Sequence, residues 1–249
     1  GYQLYEQIQR AKMSVGSLDG IELNELKMLP VQFWDLRAEI ENIGEMKGSW
    51  PMAQLYSMQV YMSKDCTGDA LGTRPLRIFS HLNRTYEAVR CRDLEEYERS
   101  WLHPAIYGAE KGKEVQTPYL EASLDITEGR IDRRTVNGGL ADSYKQFYMY
   151  DLEGIIKILR YSGWDCGFVN RIECLWKNQI VIDKVAQSYG DEYRPTNGLT
   201  QGSTISLYIV KLTGSIWARM IDHTYDNVRM GLFIDDRNMR CEDINQIIQ

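Results

Sequence analysis

Apolar residues recur at helical spacing on both sides of Pro30 in IELNELKMLPVQFWDLRAEIENIGEMK (21–47), which predicts two helices separated by that proline. GSWPMAQLYSMQVYMSKD predicts a turn at Pro51 and then a helix or strand ending in the strand-like MQVYMSK. RPLRIFSHLNRTYEAVRCRDLEEYERSW starts extended and continues as one long helix rich in Arg and Glu. A loop at YGAEKGKE leads into a further helix that runs to about Arg130.

The second half has a clearer rhythm. VNGGLADSYKQF reads as a strand entering a loop. In DLEGIIKILRYSGW, Leu152, Ile155, Ile156 and Leu159 share one helical face, and Gly163 is the stop. FVNRIECLWKN predicts a second helix, NQIVIDKV a strand and RPTNGLTQGS a loop. Ile205, Ile209, Leu212, Ile216 and Met220 then mark a long buried helix, and VRMGLFIDDRNMR closes as a hairpin with Asp235 and Asp236 at or near its tip. No internal repeat or low-complexity segment is visible. This order of elements predicts an α+β fold, an antiparallel sheet with helices packed on one face.

Composition narrows the classes. The chain has 249 residues, 43% hydrophobic and 26% charged, as in an ordinary globular protein. No apolar run approaches the ~20 residues of a membrane span, so no membrane is expected as a partner. The opening residues do not read as a charged-then-apolar leader. A chain that opens on Gly1 and stops in DINQIIQ is expected to be an excerpt of a longer protein. The 5 cysteines contain no C-x-x-C pair, which argues against a zinc site or a disulfide framework and for reduced thiols in an intracellular protein. The 3 histidines are scattered, which disfavours a histidine metal site. A net charge of −6 does not point to nucleic acid, but the balance is local. Arg74, Arg77, Arg84, Arg90 and Arg92 crowd one stretch, with only Glu87 against them.

Asp235 and Asp236 spend two like charges at one point of a strand-like run. They are either turn residues or ligands of a cation. A cation would need a third carboxylate at the end of another strand. Asp142 follows a short apolar strand and has Lys145 and Phe147 at fixed offsets. Asp125 competes less well, because it sits at what reads as a helix end with no aromatic five residues on. Between these acids, NGLTQGSTIS (197–206) places glycine and a small polar residue at a helix start, where a backbone can approach a phosphate closely.

Taken in order, these segments resemble a reverse transcriptase of the non-LTR retrotransposon and group II intron type. D-S-Y-K-Q-F (142–147), N-G-L-T-Q-G-S-T-I-S and F-I-D-D resemble the three successive palm motifs of that family. S-V-G-S-L-D-G-I, E-L-K-M-L-P, G-S-W-P, V-Y-M-S-K and R-P-L-R-I-F-S-H-L-N-R resemble its fingers, so the resemblance covers nearly the whole chain. This chain departs from the family pattern at Phe233, Ile234, Tyr148, Thr200 and Ser17, none of them a metal ligand.

The resemblance implies a polymerase palm plus mostly helical fingers. Residues 1–135 would form the fingers and the start of the palm, 136–249 the palm, and the thumb would be absent from this chain. The implied activity is RNA-directed DNA synthesis by a retroelement protein, with two Mg²⁺ ions (Mn²⁺ as a substitute) held by Asp142, Asp235 and Asp236. The implied partners are an RNA template, a DNA or RNA primer and dNTPs, in a nuclear or cytoplasmic setting. Phe147 would exclude the ribose 2′-hydroxyl, while Gln201 and Gly202 would line the nucleotide and template side. Lys64, Arg74 and Arg84 would meet the triphosphate or the template backbone. Each also has a plainer reading: a core phenylalanine, a helix-capping loop, and solvated surface charges. Two alternatives stand beside the polymerase: an RNA-directed RNA polymerase, and a degenerate palm that only binds nucleic acid or protein.

Overall fold

The computed structural model describes residues 1–63, 72–143 and 146–243; Lys64 and Lys145 lie outside the described residues. The elements in chain order are α1 (Tyr2–Arg10), α2 (Leu23–Met28), α3 (Val31–Lys47), β1 (Tyr56–Ser63), β2 (Thr73–Ile78), α4 (His81–Asp93), α5 (Glu95–Trp101), α6 (Gln116–Ile131), β3 (Asn137–Asp142), α7 (Gln146–Met149), α8 (Leu152–Tyr161), α9 (Cys166–Asn178), β4 (Ile180–Val185), β5 (Ser188–Tyr193), α10 (Thr204–Thr224), β6 (Arg229–Phe233) and β7 (Asp236–Cys241). The fold is α+β. Two compact units emerge, each from two stretches of chain: Gly1–Asp93 with Phe147–Ser206, and Leu94–Gln146 with Leu207–Gln249. This partition differs from the 135/136 division expected from sequence.

In the first unit a four-stranded sheet has the order β2-β1-β4-β5. The sheet is mixed, not purely antiparallel as expected, because β1 and β4 run parallel. Pro30 separates α2 from α3, as its fixed φ and missing N–H require. α2 opens on a capping box between Glu22 and Glu25, and Leu23 and Leu26 bury with Leu4, Ile8, Trp34 and Val89. The long helix expected after Arg74 breaks at Leu94 into α4 and α5. Strand β5 has no hydrophobic signal, since all six of its residues are exposed; its backbone pairing with β4 makes it a strand.

A buried ion pair fastens the helices of this unit. Arg171 on α9 is fully buried and paired with Glu41 on α3, which also pairs with Arg37. The Arg171 guanidinium lies 4.0 Å from the Trp50 ring and 4.1 Å from the Tyr86 ring. Trp50 Nε1 returns a hydrogen bond of 2.8 Å to the Arg171 carbonyl.

In the second unit the sheet is antiparallel, in the order β3-β7-β6. Ile106 forms a parallel bridge to Leu232, so the 105–108 segment flanks β6 as a short extra rung. The core joins Ala105, Ile106, Ala218, Met230 and Leu232. α10 buries Ile205, Ile209 and Leu212 as expected, but Ile216 and Met220 are 39% and 62% exposed. Its buried face turns instead to Lys211, Ser215 and Ala218, where Gly214 admits the Ile106 side chain to within 3.2 Å of a hypothetical Cβ. Among the described residues, no helix is long and apolar enough to cross a membrane.

Removing Arg171 leaves buried Glu41 with Arg37 as its remaining ion-pair partner and empties the space between Trp50 and Tyr86. Arg171→Ala is therefore expected to lower unfolding free energy by roughly 3–5 kcal/mol, read as a fall in urea midpoint. A loss below about 1 kcal/mol would show that Glu41 is not held in a dry interior.

Candidate active site

The hairpin of β6 and β7 turns through two residues, because Phe233 pairs with Asp236 and leaves Ile234 and Asp235 as the loop. Ile234 sits at φ 57°, a left-handed conformation that β-branched residues avoid. It is supported by Gly108, where a Cβ would lie 2.5 Å from the Ile234 nitrogen. On the other side β3 pairs with β7 so that Asp142 stands directly across from Asp236. Cross-strand partners have Cα atoms about 4.5–5.5 Å apart, and like charges so placed repel. Ser143 N donates to the Asp235 carbonyl at 3.2 Å, which ties the end of β3 to the hairpin tip.

All three aspartates are thus brought to one end of the strands in the second unit's sheet, and all three are exposed. Partial burial raises the Asp236 carboxyl above its ordinary value, and the charges of Asp235 and Asp142 raise it further. The competing carboxylate, Asp125, is on α6 and is ion-paired with Arg229 and, at 2.9 Å, with Arg240, so its charge is already matched. Oxygen donors at one exposed end of adjacent strands suit a hard divalent cation in type and in backbone placement. The side chains themselves are not drawn together: among the described residues no three His, Cys, Asp or Glu converge on a metal position.

The remaining expected residues fall in the first unit, and backbone contacts gather several of them. Phe147 O accepts from Leu199 N at 2.6 Å, and Gly198 N donates to Tyr150 O at 3.1 Å. Gly198, at φ 86°, packs so closely that a Cβ would lie 2.8 Å from the Phe147 carbonyl. Arg77 N donates to Gln201 O at 2.8 Å. Gly202, at φ 114°, would place a Cβ only 2.3 Å from the Arg77 carbonyl. So the 198–202 loop is laced between the Phe147 turn and strand β2. Glycine is required at 198 and 202 for both φ and space.

Arg74 is exposed on β2, opposite Met62. Arg84 is engaged by protein groups. It donates to Ser14 Oγ at 3.1 Å and Val15 O at 2.8 Å and contacts His81 Nδ1 at 3.0 Å, so it braces the 14–15 segment. Sequence reasoning passed over Arg77. Its guanidinium bonds Gln179 Oε1 at 2.8 Å and Thr200 Oγ1 at 3.2 Å, beside Gln59, Tyr148, Asp183 and Tyr193. Burial pulls the Arg77 guanidinium below its ordinary value, and burial with Asp183 pushes the Tyr193 phenol up to about 12. The available signal was strand alternation, which puts Arg74 and Arg77 on opposite faces of β2. A cavity of about 790 Å³ in this unit, lined by residues including Ile156, Trp176 and Arg194, contains none of the expected site residues.

No model of a known protein family matches the chain, and no curated protein sequence matches it.

Gly202→Ala tests the loop. A positive φ and a clash with a carbonyl together are expected to cost roughly 2–5 kcal/mol in denaturant unfolding. A change within about 0.5 kcal/mol would mean that the loop does not pack on β2.

Proposed function

We propose that this protein is an RNA-directed DNA polymerase of the retroelement type, extending a primer 3′-hydroxyl with dNTPs on an RNA template. The observation that carries this reading is the register of β3 and β7: Asp142 faces Asp236 across the sheet, with Asp235 beside it in the hairpin turn. Like charges on backbone positions in direct register repel when their side chains approach, and a divalent cation would offset that repulsion. The order of the sequence segments supports the same reading.

In this proposal Asp142, Asp235 and Asp236 are the residues that would hold two metal ions, Asp236 in a supporting place. When bound, Mg²⁺ (or Mn²⁺) lowers the pKa of the attacking hydroxyl and neutralises charge on the triphosphate and leaving pyrophosphate. The chain's remaining residues bind and select. Phe147 admits deoxyribose and rejects ribose by volume. Gln201 and Gly202 present a loop whose backbone is fixed by β2, and exposed Arg74 supplies a phosphate contact. Arg84 would reach phosphate only by giving up its bonds to Ser14 and Val15.

Primer extension by the full-length protein tests this on an RNA template with a DNA or an RNA primer. Extension is expected with dNTPs and Mg²⁺, with affinity for template–primer falling as salt rises. Asp235→Ala should abolish extension while leaving template–primer binding. Phe147→Ala should reduce discrimination against NTPs by roughly 10- to 100-fold. Extension with NTPs alone would assign an RNA-directed RNA polymerase. Binding of template–primer with no extension would leave a non-catalytic palm.

A further inference from the structure

We infer that Glu87 is a positioning residue for the Gln201–Gly202 turn, acting through the first turn of α10; this rests on the polymerase reading above. Glu87 lies on α4 with only 1% of its surface exposed. A carboxylate in such a place needs strong partners. Its Oε2 accepts from Ser203 Oγ at 2.8 Å and from Thr204 N at 3.1 Å. Helices begin with backbone N–H groups that have no partner inside the helix, and a negative charge there is favoured by the helix dipole. Glu87 therefore caps α10 from a different helix, 117 residues away in sequence.

The turn before α10 is consequently gripped from two directions. On one side Arg77 holds the Gln201 carbonyl and the Thr200 hydroxyl. On the other side Glu87 holds Ser203 and Thr204. Both arms come from one continuous stretch, β2 and α4, separated only by Phe79 and Ser80. Gln201 and Gly202 lie between the two grips, so their backbone has little freedom left.

A fully buried carboxylate is a poor choice for stability alone. Burial pushes Glu87 up to about 7, against the Ser203 hydroxyl, the Thr204 and Ile205 amides and the Arg84 guanidinium, all of which favour its charged form. With the folded value above the unfolded one of 4.5, the unfolded chain ionises first. Stability contributed by this group is present below about pH 4.5 and is lost as pH rises towards about 7. What the carboxylate supplies in return is geometry, two acceptor contacts aimed at one turn.

The test compares wild type, Glu87→Gln, Glu87→Ala, Ser203→Ala and Asp165→Ala in steady-state extension with dNTPs. Asp165 caps α9 through Phe168 N and controls for a lost helix cap away from the turn. Glu87→Ala is expected to raise the KM for dNTP roughly five- to tenfold. Ser203→Ala should give a smaller rise, and Glu87→Gln, which keeps the acceptor oxygen, should stay within about twofold of wild type. Asp165→Ala should leave KM unchanged. An unchanged KM in Glu87→Ala, or an equal rise in Asp165→Ala, overturns the inference. If wild type itself does not extend, the polymerase reading fails, and hydrogen exchange at the Thr204 and Ile205 amides decides the clamp. Faster exchange in Glu87→Ala but not in Glu87→Gln supports it, and equal exchange in all three overturns it.

Discussion

A single buried guanidinium organises the first unit. Arg171 is stacked against Trp50 and Tyr86 and paired with Glu41, so α3, α4 and α9 meet at one side chain. A buried cation is tolerated only where every partner is in place, which turns a costly group into a constraint on helix register. The constraint reaches the backbone, since a Cβ on Gly44 would lie 2.9 Å from the guanidinium carbon. It also inverts α3: Arg37 and Glu41 face inward, while Leu36, Ile40 and Ile43 are exposed. Tyr86 precedes Glu87. Fixing the rotation of α4 at one residue therefore fixes where the next carboxylate points, and through it the start of α10.

The second unit is organised by a different tension. One end of its sheet carries like charges in direct register and an isoleucine in left-handed backbone, both unfavourable taken alone. Neighbouring structure holds them. The 105–108 segment bonds along Leu232, Gly108 makes room for Ile234, and Ser143 bonds the carbonyl of Asp235. A hairpin so constrained fixes the backbone positions of Asp235 and Asp236 relative to Asp142. The loop at 198–202 shows the same economy of motion, its two glycines packed against carbonyls on either side.

Much of this was legible from residue order. Pro30 divides two helices, Gly163 at φ 82° ends α8, and the alternation of VRMGLFIDDRNMR gives a hairpin with the aspartates at its turn, because each depends on contacts a few residues apart. Asp142 was preferred to Asp125 for its setting after a short strand; that strand is present as β3, and Asp125 is ion-paired with Arg229 and Arg240. Elements stabilised across the chain were harder to read. β5 has no apolar face to announce it, and α10 exposes Ile216 and Met220 because small residues, not its largest ones, make the close contact. The roles of Arg77 and Glu87 depend on partners more than 100 residues away, and no local pattern encodes that.

The sequence by itself determined several of the turns, most of the helical and extended segments, and which acids are candidates for shared chemistry. These follow from backbone conformation and short-range periodicity, which act over one or two turns. Tertiary structure alone decided that Asp142 lies opposite Asp236, that Arg84 bonds the 14–15 segment while Arg77 grips the loop, and that a buried glutamate caps a helix it does not belong to. Register between strands and the burial of charge are set by the packing of distant segments. Only the folded chain brings those segments within reach of one another.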